Sequence, residues 1–428
     1  MKERVPKAQI PRLENPGWNQ AARSMSPEVI KRSQKGPMSD SAPDYLGLYT
    51  KGLQGDFYGA DYYRPPLCEI DSAIIYDDGE DKRTVASFIA MNFAPRRVLE
   101  AGCAMGLLVK SLRGLGVDAE GFDFSKWCIE NAPPDVRPWI GWGDVLDLER
   151  PAASYDMVLA LDVLEHLPPE KVPQALKNLA AVLASGGILF TVIPAYGPNA
   201  FGPALYPLQY EEWRRDAALG ISFRNIPLDD RGRPHLGHLT HATVGWWEQA
   251  FRCAGLYRMG KVERLLHRRY DERLEFSRRS FFVYVKSGRW GSRKAGRRLL
   301  KRIQAVPGLA KGFWGWERWG ENLWMRWTKK EAWDPIEVRD RTELGLRAIC
   351  NHPDIAASPV KVSFCIDSGE PEVLVFSDHD WHLLSLRLPR RPFAGLEIKC
   401  SRTWVPKQEA PEGLQRELGV GISYSPIR

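Results

Sequence analysis

Apolar positions in the first two thirds of the chain come in short runs with helical spacing between them. Runs near 96–100, 117–122, 137–142, 155–161 and 187–193 read as strands. The last of these, within Gly186 to Pro194, is apolar on both faces, as a strand covered by two layers must be. Between the runs the period lengthens. A helix is predicted from about Asp81 to Asn92, another begins over Met105 to Leu112, and Leu176, Leu179, Val182 and Leu183 form one apolar stripe before the glycine stop Ser185-Gly186-Gly187. A helix starting near Ala242 and strands near 257–262 and 281–285 complete the pattern. This alternation predicts an α/β fold over 45–286, a Rossmann-like, doubly wound, seven-stranded sheet with parallel order.

Beyond Asp334 the period drops to two. Val360, Val362, Phe364 and Ile366 alternate with polar neighbours, as do Leu384, Leu386 and Leu388, then Leu418, Val420 and Ile422. Turn-rich breaks separate them, so 334–428 is predicted to be an all-β sandwich. Residues 1–44, rich in Pro, Ser, Asn and charge, read as a disordered arm. Aromatics then gather at Tyr45, Tyr49, Phe57, Tyr58, Tyr62 and Tyr63, which suits either a segment capping a ligand or aromatic packing onto the sheet. The Pro/Gly/aromatic stretch 195–241 is longer than a crossover needs.

Composition changes this picture in one place. The chain's 60 Lys and Arg against 53 Asp and Glu give a net charge of +7, too modest to indicate a nucleic-acid partner. Between Lys286 and Trp333, however, thirteen Lys or Arg face three Glu, with seven Trp interleaved. Residues 287–333 therefore read as a basic, Trp-rich helical connector with three uses open: docking on an anionic membrane surface, packing between domains, or nucleic-acid contact. The seven cysteines form no CxxC pair, as expected of free thiols in a reducing compartment. No signal-peptide core leads the chain and no apolar run approaches a bilayer span. A cytoplasmic protein is expected, peripheral at the inner face of the plasma membrane if the connector docks there.

The candidate chemistry concentrates between Arg96 and Trp127, where strand, glycine turn, helix, strand and acidic residue follow in order. Gly102 and Gly106 permit a tight turn facing a helix N-terminus. About twenty residues later, Asp123 places a carboxylate where it can accept hydrogen bonds from both hydroxyls of a ribose. A phosphate site would want further glycines, but Glu100 stands at the strand end and Ala104 holds the middle glycine place. A carboxylate there suits a cationic ligand.

This turn resembles motif I of the class I S-adenosylmethionine (SAM) methyltransferases. The family's later motifs follow in order: Gly143-Asp144-Val145, then Tyr155 to Glu170 with its Glu165-His166-Leu167 turn. The ordered set runs from Arg96 to Val285. It implies SAM as cofactor, bound by Glu100, Gly102, Cys103, Gly106, Asp123, Phe124, Asp144, Val145 and Asp162, with Glu100 at the amino-acid end and Asp144 at the adenine. Gly237 to Arg258 and the early Tyr62-Tyr63-Arg64 further resemble a subgroup common in glycan biosynthesis, and Ser401 to Tyr424 resembles segments attached to enzymes of bacterial envelope polysaccharide assembly.

Methyl transfer is an in-line displacement, governed by alignment, and a hydroxyl acceptor gains from a base that takes its proton. The candidates at the sheet's carboxyl edge are Glu165, His166 and His241. The family resemblance puts His166 near the cofactor, and that of the subgroup points His241 at the acceptor. Plainer roles stand beside these: a structural histidine at 166, a loop-tethering bond at 241 and a turn cap at Asp162. A metal site built from His235, His238 and His241 with Asp229 and Asp230 lacks regular ligand spacing, and no metal is expected. The expected function is O-methylation of a sugar or lipid-linked glycan in envelope polysaccharide biosynthesis. Methylation of a quinone-like or lipidic molecule at the membrane is a second enzymatic reading. A carbohydrate-binding scaffold with a vestigial SAM domain, encouraged only by Ala104, is the non-enzymatic one. Nucleic acid is not an expected partner, because the basic residues cluster outside the catalytic half.

Overall fold

A computed structural model describes residues 57–63, 80–196, 234–274, 280–286, 289–319, 323–338, 341–406 and 416–424, with Ala218. The arm 1–44, Tyr45, Tyr49, Arg64, Asp229, Asp230 and most of the insertion lie outside the described residues, as do the side chains of His235 and Trp290.

The first half alternates as its pattern requires. Helix α1 (Glu80–Phe93) leads into β1 (Arg97–Ala101), followed by α2 (Leu107–Gly114), β2 (Asp118–Asp123), α3 (Lys126–Glu130), β3 (Ile140–Trp142), β4 (Tyr155–Leu161), α4 (Val172–Val182) and β5 (Leu183–Val192). After the insertion come α5 (Val244–Cys253), β6 (Leu256–Arg258), α6 (Gly260–Tyr270) and β7 (Phe281–Lys286). The seven strands lie in the order β3-β2-β1-β4-β5-β7-β6. Alternate residues serve opposite faces. Val98, Met157, Leu159, Phe190, Phe281 and Val283 join the core under α1, α2 and α6, while Leu99, Val158, Ala160, Leu189, Phe282 and Tyr284 join the core under α4 and α5. Burial on both sides is why these strands read as unbroken apolar runs.

Two expectations are corrected here. The sheet is mixed, because β7 runs antiparallel to both β5 and β6. Tyr270 ends α6 at the sheet's amino edge, where its hydroxyl meets Asn92 at 3.0 Å. The chain then re-enters at the carboxyl edge, where the Ser280 carbonyl accepts from the Ile193 amide at 3.1 Å, so β7 must descend. The third strand begins at Ile140 and not at Arg137, because 137–139 form a tight turn around Pro138, whose missing N–H cannot join a ladder.

Helix α7 (Arg289–Ala305) opens the second half. It is followed by β8 (Lys311–Trp319), β9 (Leu323–Glu337), β10 (Glu343–Ile349), β11 (Val360–Ile366), β12 (Glu372–Phe376), β13 (His382–Arg387), β14 (Phe393–Cys400) and β15 (Gly421–Tyr424). These eight strands form one hydrogen-bonded sheet, ordered β12-β11-β14-β9-β15-β10-β13 with β8 on β9. Six inter-strand steps would separate its two edges by about 29 Å if it were flat. Yet the edges are joined by the short link from Phe376 to His382, which reaches at most about 21 Å, and those two rings lie 4.9 Å apart. The predicted all-β region is therefore a single sheet coiled until its edges meet around one core, where two separate packed sheets were expected.

The connector is also corrected. Among its described residues, only 289–305 are helical. The Trp-rich stretch instead pairs as the antiparallel strands β8 and β9 of one hairpin, its aromatic residues being strand formers. Trp316 and Trp327 pack inward, whereas Trp319 is 41% exposed. Trp316 is 3% exposed and occupies the space where Gly114 at the end of α2 lacks a side chain; a Cβ there would lie 2.2 Å from the indole. Trp139 stands under Arg113 at 4.2 Å and touches Trp324 at 5.8 Å. The buried Arg326 lies 3.7 Å over the Phe313 ring and pairs with Asp334. Arg302 of α7 ties the halves together, donating to the Met91 carbonyl at 2.9 Å and to Glu337 at 2.6 Å. Of the three uses, packing between the halves accounts for Trp316 and Trp324. Among the described residues no helix is long and apolar enough to cross a membrane.

Candidate cofactor and acceptor site

The glycine turn is fixed from below by strand β2. The amides of Gly102 and Cys103 both donate to the Phe122 carbonyl, at 2.9 and 3.0 Å. Gly102 (φ 68°) and Gly106 (φ 76°) are both left-handed, and a Cβ on Gly102 would lie 2.4 Å from Val163 Cγ2. The loop after β4 thus closes on bare backbone, which leaves room for nothing larger than glycine at 102. Ala104 also adopts a left-handed conformation (φ 47°), at a cost of about 1–2 kcal/mol. Its amide explains why the turn needs that geometry: it donates to Asp123 Oδ2 at 2.7 Å, while the Ser125 amide donates to Oδ1 at 2.8 Å. Alanine at the middle place therefore keeps the turn's working atom, its N–H. Each carboxylate oxygen of Asp123 retains a further acceptor site. Burial raises the Asp123 pKa, against the two amides that hold its charged form.

Asp123 lies on the wall of a cleft of about 670 Å³ at the carboxyl edge of the sheet, shared with Gly102, Phe124, Asp144, Val145 and Asp162. Asp144 Oδ1 accepts from the Leu146 amide at 2.8 Å, which orients the carboxylate. Asp162, left-handed at φ 55°, turns the chain out of β4. Glu100 and Cys103 stand behind this wall. Glu100 is 5% exposed, and Cys103 is wedged against Gly121, where a Cβ would come within 2.7 Å. Burial, then Asp123, then Glu100 push the Cys103 thiol well above its usual range, so the two carboxylates and this thiol share one region beneath the turn. Gly106 caps α2 and would meet Ile140 at 2.9 Å if it carried a side chain.

The opposite wall is aromatic. Tyr58, Tyr62 and Tyr63 line the cleft, and hydrogen bonds hold the segment 57–63 down. Ser125 Oγ donates to the Tyr58 carbonyl at 2.8 Å, the Tyr62 hydroxyl donates to the Leu236 carbonyl at 3.3 Å, and the Tyr58 hydroxyl lies 3.1 Å from His166 Nδ1. Tyr63 stacks on Trp127 at 5.8 Å. The capping segment anticipated from the aromatic cluster is thus formed by these three tyrosines, none of which a motif singled out as a site residue. Their signal was aromatic density ahead of the first helix.

The three catalytic candidates part company. His166 lines the cleft, and its Nδ1 is 3.1 Å from the Gly237 carbonyl. A carbonyl can only accept, so this contact is a hydrogen bond in the tautomer with the proton on Nδ1, whose basic atom is Nε2; the Tyr58 hydroxyl shares Nδ1. Burial lowers the His166 pKa, opposed by Gly237 and Asp162. Glu165 is wholly buried and its carbonyl receives the Leu239 and Thr240 amides at 2.7 and 2.9 Å, tying the turn to the loop before α5. His241 is buried against Tyr196, with ring centroids 4.9 Å apart, and is not among the cleft's lining. Glu165, His166 and His238 offer ligand atoms within 4.8 Å of one another, close enough to gather around a divalent cation.

A family model described as a methyltransferase domain matches residues 77–257. Curated relatives include ubiquinone biosynthesis O-methyltransferases. The one from Paraburkholderia phymatum is 32% identical over 108 residues, 23% of this chain and 44% of that protein, and that from Coxiella burnetii is 32% identical over 101 residues, 22% and 42% respectively. The chain spans less than half the length of each. Similar solved structures include an amino pentose methyltransferase of calicheamicin biosynthesis from Micromonospora echinaspora, solved with SAM bound (19% identity, TM-score 0.34, 50% of this chain and 92% of that one). Magnesium protoporphyrin IX methyltransferase from Synechocystis PCC 6803 is another (18% identity, TM-score 0.34, 54% and 98%). The left-handed glycine turn and the doubly anchored Asp123 both lie within the segment 77–257 that matches a methyltransferase domain, for which S-adenosylmethionine is the cofactor.

Proposed function

We propose that this protein transfers the methyl group of SAM to a hydroxyl of a small acceptor. The observation that supports this best is the joining of two features in one cleft: a carboxylate with spare acceptor sites, Asp123, and an imidazole, His166, whose Nδ1 lies against the Gly237 carbonyl. When bound, the cofactor supplies an electrophilic methyl on a positively charged sulfur. The protein's residues do the rest. Asp123 and Asp144 fix the adenosyl end, and the negative charge of Glu100 beneath the turn favours a cation above it. Tyr58, Tyr62, Tyr63, Val163 and Leu167 restrict water at the acceptor side. His166 takes the hydroxyl proton on Nε2 and remains neutral beforehand because burial disfavours its charged form.

For the acceptor we favour a sugar or lipid-linked glycan of envelope polysaccharide biosynthesis. Tyr62 and Leu236–Gly237 belong to, or adjoin, the two stretches that resemble the glycan subgroup, and Tyr62 bonds the Leu236 carbonyl at 3.3 Å on one wall of the cleft. A quinone-like phenol is the second reading, favoured by the ubiquinone biosynthesis O-methyltransferases among the relatives. Radiolabelled methyl transfer by the full chain onto a panel of free and lipid-linked sugars and onto catechols separates the two. Labelling of catechols alone refutes the glycan assignment, and labelling of neither, with SAM binding intact, refutes hydroxyl methylation of both classes.

A further inference from the structure

A second cleft, of about 910 Å³, opens where the two halves meet, lined by Arg269, Tyr270, Arg273, Gly308, Lys311 and Trp333. It lies at the amino edge of the first sheet, where Tyr270 meets Asn92, and so on the opposite edge from the cofactor site. Three cations converge on it. Among the described residues, none of Arg269, Arg273 and Lys311 has a carboxylate within ion-pair distance, although most charged groups nearby are paired: Arg302 with Glu337, Arg326 with Asp334, and His267 with Asp271. Arg269 is held rigid, donating to the carbonyls of Gln304 (3.3 Å) and Val306. Trp333 is held too, its indole against Gly308 and Gly395, where a Cβ would come within 3.3 and 2.7 Å. Unpaired cations facing one another across a cleft repel until an anion joins them, and a fixed guanidinium beside a fixed indole offers a fork for phosphate oxygens and a face for an apolar or flat group.

We propose that this cleft binds a diphosphate ester, its phosphates seated between Arg269, Arg273 and Lys311 and its organic group against Trp333. Two sources share that chemistry, a nucleoside diphosphate and a polyprenyl diphosphate. The proposal stands apart from the methyltransferase reading, since no residue is common to the two clefts. Calorimetric titration of the full chain with inorganic pyrophosphate, uridine diphosphate and farnesyl diphosphate tests it. Saturable binding that weakens with added salt is expected. In the exposed pair Arg273→Ala/Lys311→Ala it should weaken roughly tenfold or more, and in Asp123→Ala, its folding checked by denaturant unfolding, it should be unchanged. Tighter binding of the uridine or the farnesyl compound than of pyrophosphate identifies the source, and equal binding of all three assigns the phosphates alone. Absence of saturable binding by any of the three, parental affinity in the double variant, or loss of binding in a folded Asp123→Ala protein overturns the proposal.

Discussion

Replacing Asp123 by Ala tests the cofactor site most directly. The carboxylate accepts two amide hydrogen bonds, from Ala104 at 2.7 Å and Ser125 at 2.8 Å, and has about two acceptor sites left for ribose hydroxyls. Hydrogen bonds to a charged acceptor contribute about 1.5–3 kcal/mol each. Losing two gives about 3–6 kcal/mol, a weakening of roughly 10²- to 10⁴-fold in cofactor affinity. The Ala104 and Ser125 amides also lose their partner, at about 1–3 kcal/mol each of folding stability, so denaturant unfolding must accompany the titration. Asp123→Asn should fare little better, because its NH₂ group must face one of two amide donors. The assay is calorimetry with S-adenosylhomocysteine and with SAM. Because burial raises the Asp123 pKa, affinity should also decline on acidification from above the ordinary Asp value of about 3.9. A folded Asp123→Ala protein that binds within roughly threefold of the parent would refute the placement of the ribose at this residue.

Gly102→Ala should cost about 2–5 kcal/mol from its left-handed backbone and the collision with Val163, and adding Val163→Ala should recover only the collision part in equilibrium unfolding. His166→Gln should reduce kcat by roughly 10²–10⁴ with near-parental S-adenosylhomocysteine affinity; a kcat change under roughly fivefold would demote His166 to a structural residue. Because burial holds His166 below the ordinary imidazole value, its neutral form is present at neutral pH. The kcat–pH profile should therefore be flat above about 6.5 and fall below it, and the stability contributed by neutral His166 and His352 should likewise be lost as pH falls from that value. Trp316→Ala should destabilise by about 3–5 kcal/mol in thermal unfolding, and acidic liposomes should not pellet the protein through the hairpin indoles.

The sheet was legible because its strands are covered on both faces, so that Val98 and Leu99, or Phe282 and Val283, could be apolar together. The cofactor turn was legible because Gly102, Gly106 and Asp123 answer local backbone demands. What escaped was set by distant partners. The direction of β7 depends on where the chain re-enters after Tyr270. The hairpin's period was masked by its own cations, since Arg326 is neutralised by Asp334 and roofed by Phe313, partners that a basic amphipathic helix would not have. Tyr58 came to the cleft through Ser125 and His166, far off in sequence.

The hollow at Gly114 has a consequence for how the two halves persist together. Helix α2 spans only two turns between Gly106, which frames the cofactor turn, and Gly114, which admits the Trp316 indole. Cut away from its C-terminal half, the catalytic half would present a dry, indole-shaped notch to water one short helix from its own binding loop. Any enlargement at 114 would pry the coiled sheet loose and press on that loop at once. Drift at this glycine is therefore constrained by both ends of the molecule, and a shortened protein ending before residue 311 should lose cofactor affinity along with solubility.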